Sequence, residues 1–132
     1  METISGFATG VQHIGIPTND MNATIDFYKR LGFKIAFETV IKEDNCRVCF
    51  LKFENLCIET YENHQAVMKS GAIDHIAIDT SDIDAAFEFA KKGNFRLLDN
   101  EIQSIPSFWA KGIRFFKIEG PNRENIEFCQ IL

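Results

Sequence analysis

The chain has 132 residues, of which 45% are hydrophobic and 25% are charged, with 14 Lys and Arg against 19 Asp and Glu. This length excludes a large multidomain enzyme and allows one small globular domain or two very small ones. The net charge of −5 leaves no basic footprint, so we expect neither nucleic acid nor an anionic membrane surface as a partner.

The opening segment METISGFATG has neither the basic region nor the apolar stretch of a secretion signal. No apolar run approaches the roughly 20 residues that a membrane span needs. We therefore expect a cytoplasmic protein whose four cysteines stay reduced. Cys46 and Cys49 form a CxxC, but strand alternation predicts opposite directions for their sulfurs, and no second CxxC completes a zinc site.

An internal repeat organises the predicted elements. A shift of 62 positions places residues 11–33 over residues 73–95 with nine identities in 23 positions. Each copy begins with a short alternating strand, continues through a polar capping segment, and enters an amphipathic helix that Gly32 or Gly93 terminates. Three strands follow in each copy: FKIAFETVI, CRVCFLKF and LCIETYE in the first, and FRLLDNEI, FWAKGIRFFKIEG and NIEFCQIL in the second.

The order βαβββ therefore occurs twice, with residues 64–71 as the predicted connector. Module one spans about residues 9–63 and module two about residues 72–132. A module of about 50 residues has too little buried surface to fold alone, so we predict a single α+β domain over residues 1–132. In this domain the modules pair into a curved, partly open mixed sheet with the helices on its outer face.

Strand alternation also predicts which side chains point away from the helices. Residues two apart share a face, so Ile14 and Ile16 face the helix and His13 points the other way, beside the small Gly15. The same reasoning applies to three further side chains: His75, Glu59 and Glu127. If the sheets pair about a pseudo-twofold axis, these two imidazoles and two carboxylates converge, and one divalent cation would compensate both charges. A single such residue would by default be a structural histidine or a surface carboxylate.

Four segments, VQHIGIPTNDMNATIDFYKRLGF, CIETYE, DHIAIDTSDIDAA and EGPNRENIEF, closely resemble the vicinal oxygen chelate superfamily. This superfamily groups glyoxalases, bleomycin-resistance proteins and extradiol dioxygenases, all built from paired βαβββ modules. The resemblance runs from Val11 to Cys129. Gly120 stands where the family's turn before the last strand has Asp, and Arg123 stands where it has Gly.

The resemblance implies a metal centre and a reaction. His13, His75 and Glu127 match a metal triad that several branches share, and Glu59 matches a further ligand of glyoxalase I. It implies one divalent ion, for which Zn, Ni, Co, Mn and Fe all suit the nitrogen and oxygen ligands. It also implies a lyase or isomerase that moves a proton next to a carbonyl of a small 2-oxoaldehyde–thiol adduct, with Glu59 or Glu127 as the catalytic base.

Four further residues are candidates for the substrate pocket. Asn63 follows the first candidate glutamate by four residues, as in bacterial glyoxalase I, and Tyr61 shares the face of that glutamate. Trp109 and Phe116 belong to an aromatic segment that either lines a pocket mouth or packs in the core. Pro17 stands where glyoxalase I commonly has an Arg for glutathione, so the thiol is left open.

The same superfamily offers other functions. A methylmalonyl-CoA epimerase-like isomerase has a similar DHIAI segment, whereas thiol transferases and dioxygenases keep the triad without an equivalent of Glu59. Bleomycin-resistance proteins sequester a ligand and lack the metal set. The family habit favours a homodimer with a small-molecule substrate, and the sequence leaves open whether modules pair within one chain or across a dimer.

Overall fold

The computed structural model describes residues 3–132, which divide into two compact units. The first unit ends at Ala66 and the second spans Val67–Leu132, so the division falls within the predicted connector. Each unit holds one copy of the repeat. Over residues 3–132, neither helix has the length and apolar character that crossing a membrane requires.

The first unit is a four-stranded mixed sheet with one helix. A short 3-10 helix (Ile4–Gly6) precedes five elements: β1 (Ile14–Pro17), α1 (Met21–Arg30), β2 (Lys34–Ile41), β3 (Cys46–Phe53) and β4 (Leu56–Tyr61). The strand order is β1-β4-β3-β2, in which β1 runs parallel to β4 and the other neighbours are antiparallel.

The second unit repeats this plan with one strand divided. Its elements are β5 (His75–Asp79), α2 (Ile83–Lys92), β6 (Arg96–Leu97), β7 (Gln103–Ile105), β8 (Ile113–Glu119) and β9 (Asn125–Ile131). The order is β5-β9-β8-β6, and β7 also pairs with β8. Residues 3–132 therefore form two mixed, open sheets with two helices, which confirms the predicted α+β class.

An aspartate from the predicted polar segment caps each helix. Asp20 and Asp82 have extended backbones, and each accepts a hydrogen bond of 3.0 Å from the N–H three residues further on. This contact satisfies one of the amide groups that a helix leaves unpaired in its first turn. The same cap in both copies fixes where each chain enters its helix.

The helix ends differ from the prediction in one copy. Gly32, two residues after the end of α1, has a φ of +106°, a conformation that glycine adopts at little cost. In the second copy Gly93 has a φ of −80°, and the left-handed residue is Asn94, which aligns with Gly32 in the repeat. Asparagine tolerates this conformation better than most residues, so both helices end at equivalent positions.

The core of each unit lies between its helix and the helix-facing side of its sheet. Tyr28, Leu51 and Ile58 are fully buried in the first unit, and Ile83 and Phe116 in the second. These side chains come from alternate strand positions and from one face of each helix, as the periodicity predicts. The opposite face of each sheet is the open face, and the candidate ligands belong to it.

The bounds predicted for the strands FRLLDNEI and FWAKGIRFFKIEG are wrong, because the structure has β6 at Arg96–Leu97, β7 at Gln103–Ile105 and β8 only from Ile113. The carboxylate of Asp99 accepts the backbone N–H of Lys117 at 2.8 Å, so a side chain interrupts the ladder between β6 and β7. Residues 106–112 form a turn that ends at Gly112, whose φ is +100°. A side chain there would lie 3.1 Å from the Cα of Pro106, so the turn needs glycine.

Candidate metal centre

The first candidate pair lies at the junction of β1 and β4. Parallel pairing places Gly15 opposite Glu59, and His13 immediately precedes β1. The Nε2 atom of His13 lies 3.4 Å from the Oε1 atom of Glu59. The side chains are 37% and 27% exposed, so solvent or a ligand can reach both.

The second pair repeats this geometry at the junction of β5 and β9. Ala77 lies opposite Glu127, and the Nε2 atom of His75 lies 3.7 Å from the Oε1 atom of Glu127. The glutamate is 14% exposed and the histidine 40%. Each unit therefore holds one of the two predicted imidazole–carboxylate pairs.

Gly15 in β1 has no side chain and so leaves space beside the His13–Glu59 pair. A Cβ atom at Gly15 would lie 3.5 Å from the ring of Tyr61 and 3.8 Å from the Glu59 carboxylate. The Tyr61 hydroxyl would be 3.7 Å from the same point. Tyr61 therefore borders the His13–Glu59 pair, as its predicted face requires.

Two side chains that the sequence analysis missed hold the imidazoles. The Nδ1 atom of His13 is hydrogen-bonded to the side-chain oxygen of Gln12, and the Nδ1 atom of His75 contacts the Asp74 carboxylate at 2.9 Å. Because an oxygen that accepts from Nδ1–H leaves the Nε2 lone pair available, both rings are oriented for binding through Nε2. The signal was present in the sequence, since Gln12 and Asp74 occupy equivalent positions directly before each histidine.

These donors fit a divalent metal ion. Two neighbouring ligands with metal bonds of about 2.0–2.2 Å lie about 2.8–3.6 Å apart, and the observed 3.4 and 3.7 Å are close to this range. The support of the Nδ1 atoms is also typical of metal-binding histidines. Over residues 3–132 no group of three or more His, Cys, Asp or Glu side chains is assembled, so each unit by itself offers two ligands.

The other predicted pocket residues have different surroundings. Asn63 follows β4, and its side-chain oxygen accepts an N–H two residues further on at 3.0 Å. Trp109 is 69% exposed in the turn before β8. Phe116 is fully buried and contacts the rings of Phe87 and Phe128 at centroid distances of 5.1 and 5.2 Å. The core alternative is therefore correct for Phe116.

The four cysteines are free thiols. Cys129 follows Glu127 by two residues on β9, and burial, followed by the charges of Glu127 and Asp79, raises the pKa of its thiol. A raised pKa keeps the sulfur protonated at neutral pH, and a protonated thiol is a poor nucleophile and metal ligand. This agrees with the predicted packing role of the cysteine.

The side chain and backbone of Glu124 stabilise the turn before β9. The carboxylate of Glu124 accepts the N–H of Asn122 at 2.8 Å, and its backbone oxygen accepts the N–H of Gly120 at 2.9 Å. A Cβ atom at Gly120 would collide with the Glu124 side chain. The absence of a side chain at Gly120 therefore leaves room for the Glu124 carboxylate, and after this turn Glu127 pairs with Ala77 in the ladder.

Two copies of the βαβββ plan, one in each unit, are the fold of the vicinal oxygen chelate class. The chain belongs to the Glyoxalase/Bleomycin resistance protein/Dioxygenase superfamily, whose family model matches residues 10–128. The uncharacterized protein YwbC of Bacillus subtilis strain 168 is 36% identical over 128 residues, which cover 93% of this chain and 98% of that protein.

Solved structures share the fold at low identity. A glyoxalase family protein from Enterococcus faecalis superposes with a TM-score of 0.77 and 19% identity, covering 93% of this chain and 98% of that one. The fosfomycin resistance protein FosX from Listeria monocytogenes, complexed with Mn(II) and sulfate, has a TM-score of 0.69 and 16% identity, with coverages of 96% and 95%. At such identities the likeness concerns the fold alone.

Proposed function

We propose that this protein is a metal-dependent lyase or isomerase of the glyoxalase I kind. Its substrate would be a small 2-oxoaldehyde–thiol adduct, on which it moves a proton next to a carbonyl. One observation carries the proposal: each module presents an imidazole Nε2 and a glutamate oxygen 3.4 or 3.7 Å apart on its open face. The proposed ligands of one divalent ion are His13, Glu59, His75 and Glu127.

In the proposed reaction, some residues of the chain transfer the proton and others orient the metal ligands. When bound, the divalent ion supplies positive charge that stabilises the negative charge developing on the substrate oxygens. One of Glu59 and Glu127 removes the proton from the carbon next to the carbonyl, and a carboxylate returns it to the neighbouring carbon. Gln12 and Asp74 hold the imidazoles in one orientation, so the donor atoms are preorganised.

Metal content provides the first test, because the chain contains a matched control. His13→Ala and His75→Ala should each lower the bound metal after reconstitution, since each removes a donor. His64→Ala should retain it, because His64 is exposed and lies outside both pairs. Metal content that is unchanged in all three variants would contradict the proposed ligands.

Turnover is the second test. Methylglyoxal is incubated with glutathione or other thiols and with protein reconstituted with Zn, Ni, Co, Mn or Fe, and thioester product is measured. Glu59→Gln and Glu127→Gln separate base from ligand: the base variant should lose about 100-fold or more in kcat while it retains metal. Absence of product with every metal and thiol would refute the glyoxalase I-like activity.

A mixing experiment decides how the modules would combine. Chains carrying His13→Ala are refolded together with chains carrying His75→Ala. If module one of one chain completes the site with module two of another, a mixed dimer contains one intact site and activity returns. If both modules of the same chain form the site, every chain remains damaged and activity stays lost.

A further inference from the structure

A cavity of about 530 Å³ lies on the open face of the first unit, next to the His13–Glu59 pair. Its lining includes Phe37, Phe50, Lys52 and Cys57. The ring of His13 meets Phe50 edge-on at 5.4 Å, and Phe50 lies opposite Glu59 in the β3–β4 ladder. A molecule in this cavity would therefore be in reach of the candidate metal pair.

A β-bulge in β2 places Phe37 in the lining of the cavity. Ile35 pairs with Leu51, whereas Phe37 pairs with Phe50, so Ala36 is the extra residue in β2. Without the bulge, alternation would place Phe37 on the helix-facing side with Leu51. The bulge instead directs Phe37 to the open face, where its ring centroid lies 6.3 Å from that of Phe50. Phe37 is 58% exposed there, which leaves an aromatic surface open to a ligand.

Two lysines stand opposite each other beside these rings. Lys34 on β2 pairs with Lys52 on β3, so both side chains project from the open face. Like charges directly across a ladder repel and destabilise the strand pair. Among the described residues, neither lysine forms an ion pair with a carboxylate. The position therefore concentrates positive charge on a chain whose net charge is −5.

The second module holds oppositely charged residues at the equivalent position. The residues equivalent to Lys34 and Lys52 are Arg96 and Glu119, which also pair across the ladder. Their side chains form an ion pair with a distance of 3.1 Å between nitrogen and oxygen. The duplicated fold thus accommodates a compensated pair at this place, and only module one carries two ammonium groups.

We propose that Lys34 and Lys52 bind the anionic group of an organic ligand whose apolar part covers Phe37 and Phe50. Cys57, which pairs with Lys52, lies two residues before Glu59, or about 7 Å along β4. A ligand that spans this distance places its anion on the lysines and its reacting end beside Glu59. The identification of this ligand as the substrate rests on the proposed function. In that case the thiol that forms the adduct carries a negatively charged group, which the two lysines bind.

Two dyes of the same aromatic shape test the anion site without turnover. 1-Anilinonaphthalene-8-sulfonate carries one negative charge, whereas N-phenyl-1-naphthylamine is its neutral counterpart, and both gain fluorescence in apolar cavities. Lys34→Met and Lys52→Met should each weaken binding of the sulfonate by about fivefold and leave the neutral dye unchanged. Lys42→Met is the matched control, because Lys42 is an exposed lysine beyond the end of β2.

A charge reversal tests the repulsion itself. Lys52→Glu would recreate the arrangement of module two, so sulfonate binding should be lost while the melting temperature stays equal or rises. A lower melting temperature would overturn the charge argument. Sulfonate binding that is equal in the wild type and in both methionine variants would show that both are solvated surface lysines only, and would overturn the anion site.

The two proposals fail in different ways. Lysine-dependent sulfonate binding without turnover of any adduct would refute the proposed function and leave the anion site standing. Equal turnover of the 3-mercaptopropionate and 3-mercapto-1-propanol adducts, together with sulfonate binding that is the same in the wild type and in both lysine variants, would refute the anion site alone. If the wild type turns over the 3-mercaptopropionate adduct faster than the 3-mercapto-1-propanol adduct, and Lys52→Met abolishes this preference, the result supports both the proposed function and the anion site.

Discussion

Asp74 provides a sharp test of how this chain would hold a metal ion. Its carboxylate lies 2.9 Å from the Nδ1 atom of His75, and Gln12 occupies the equivalent place beside His13. Asp74→Ala removes the acceptor, so the imidazole ring can rotate and its Nε2 atom is no longer directed toward Glu127. We therefore expect weaker metal binding without any change in the four ligands.

The size of the effect follows from the exposure of Asp74. Loss of such a supporting group typically weakens metal binding by about 10- to 100-fold. The side chain of Asp74 is 66% exposed, so water competes for the same hydrogen bond, and we expect the lower end, about tenfold. Asp74→Asn retains an acceptor oxygen, as Gln12 does in module one, and should recover most of the affinity.

The assay is competition for Zn²⁺ between metal-free protein and a chromophoric chelator at pH 7. Asp26→Ala is the control, since it removes one exposed carboxylate from α1, away from the predicted ligands. An equal loss in Asp26→Ala would assign the effect to net charge. Unchanged affinity in Asp74→Ala would refute the positioning role.

Three further predictions concern single sites. Among residues 3–132, the buried hydroxyl of Thr60 has no hydrogen-bond partner, so Thr60→Val should raise the free energy of urea unfolding by about 1 kcal/mol. Thr18→Val removes hydrogen bonds of the Thr18 hydroxyl and should lower the free energy of unfolding. Gly15→Ala should retain metal binding, and Gly15→Val should weaken it by crowding Tyr61; equal retention in both variants would argue against a confined site. Burial and two nearby carboxylates raise the pKa of the Cys129 thiol. Its alkylation by iodoacetamide at pH 7 should therefore be slower than in the urea-unfolded chain, and it should accelerate as the pH rises toward that pKa. Equal rates in the folded and unfolded chains at pH 7 would contradict this.

Local chemistry made the repeat visible in the sequence. Asp20 and Asp82 cap their helices because a short acceptor side chain satisfies a free amide, an interaction that needs only a few neighbouring residues. Alternation likewise predicted the faces of Glu59 and Glu127, since successive strand side chains point to opposite sides. These predictions depend on residues close in sequence, and the structure agrees with them.

Long-range pairing decided the features that the sequence analysis missed. Phe37 reaches the open face through a bulge whose position is fixed only when β2 aligns with β3. The strand of module two divides because Asp99 bonds to the backbone of Lys117, 18 residues away. Phe116 packs in the core because its partners on α2 and β9 come from distant parts of the sequence.

The sequence by itself determined the duplicated βαβββ plan, the helix caps and the faces of the four candidate ligands, because each follows from local periodicity. Only the tertiary structure showed each histidine beside its glutamate, 46 residues away in module one and 52 in module two. It also showed that Lys34 lies opposite Lys52 in module one, whereas Arg96 and Glu119 form an ion pair in module two. Cross-strand register decides these contacts, and register emerges only when the whole sheet has formed.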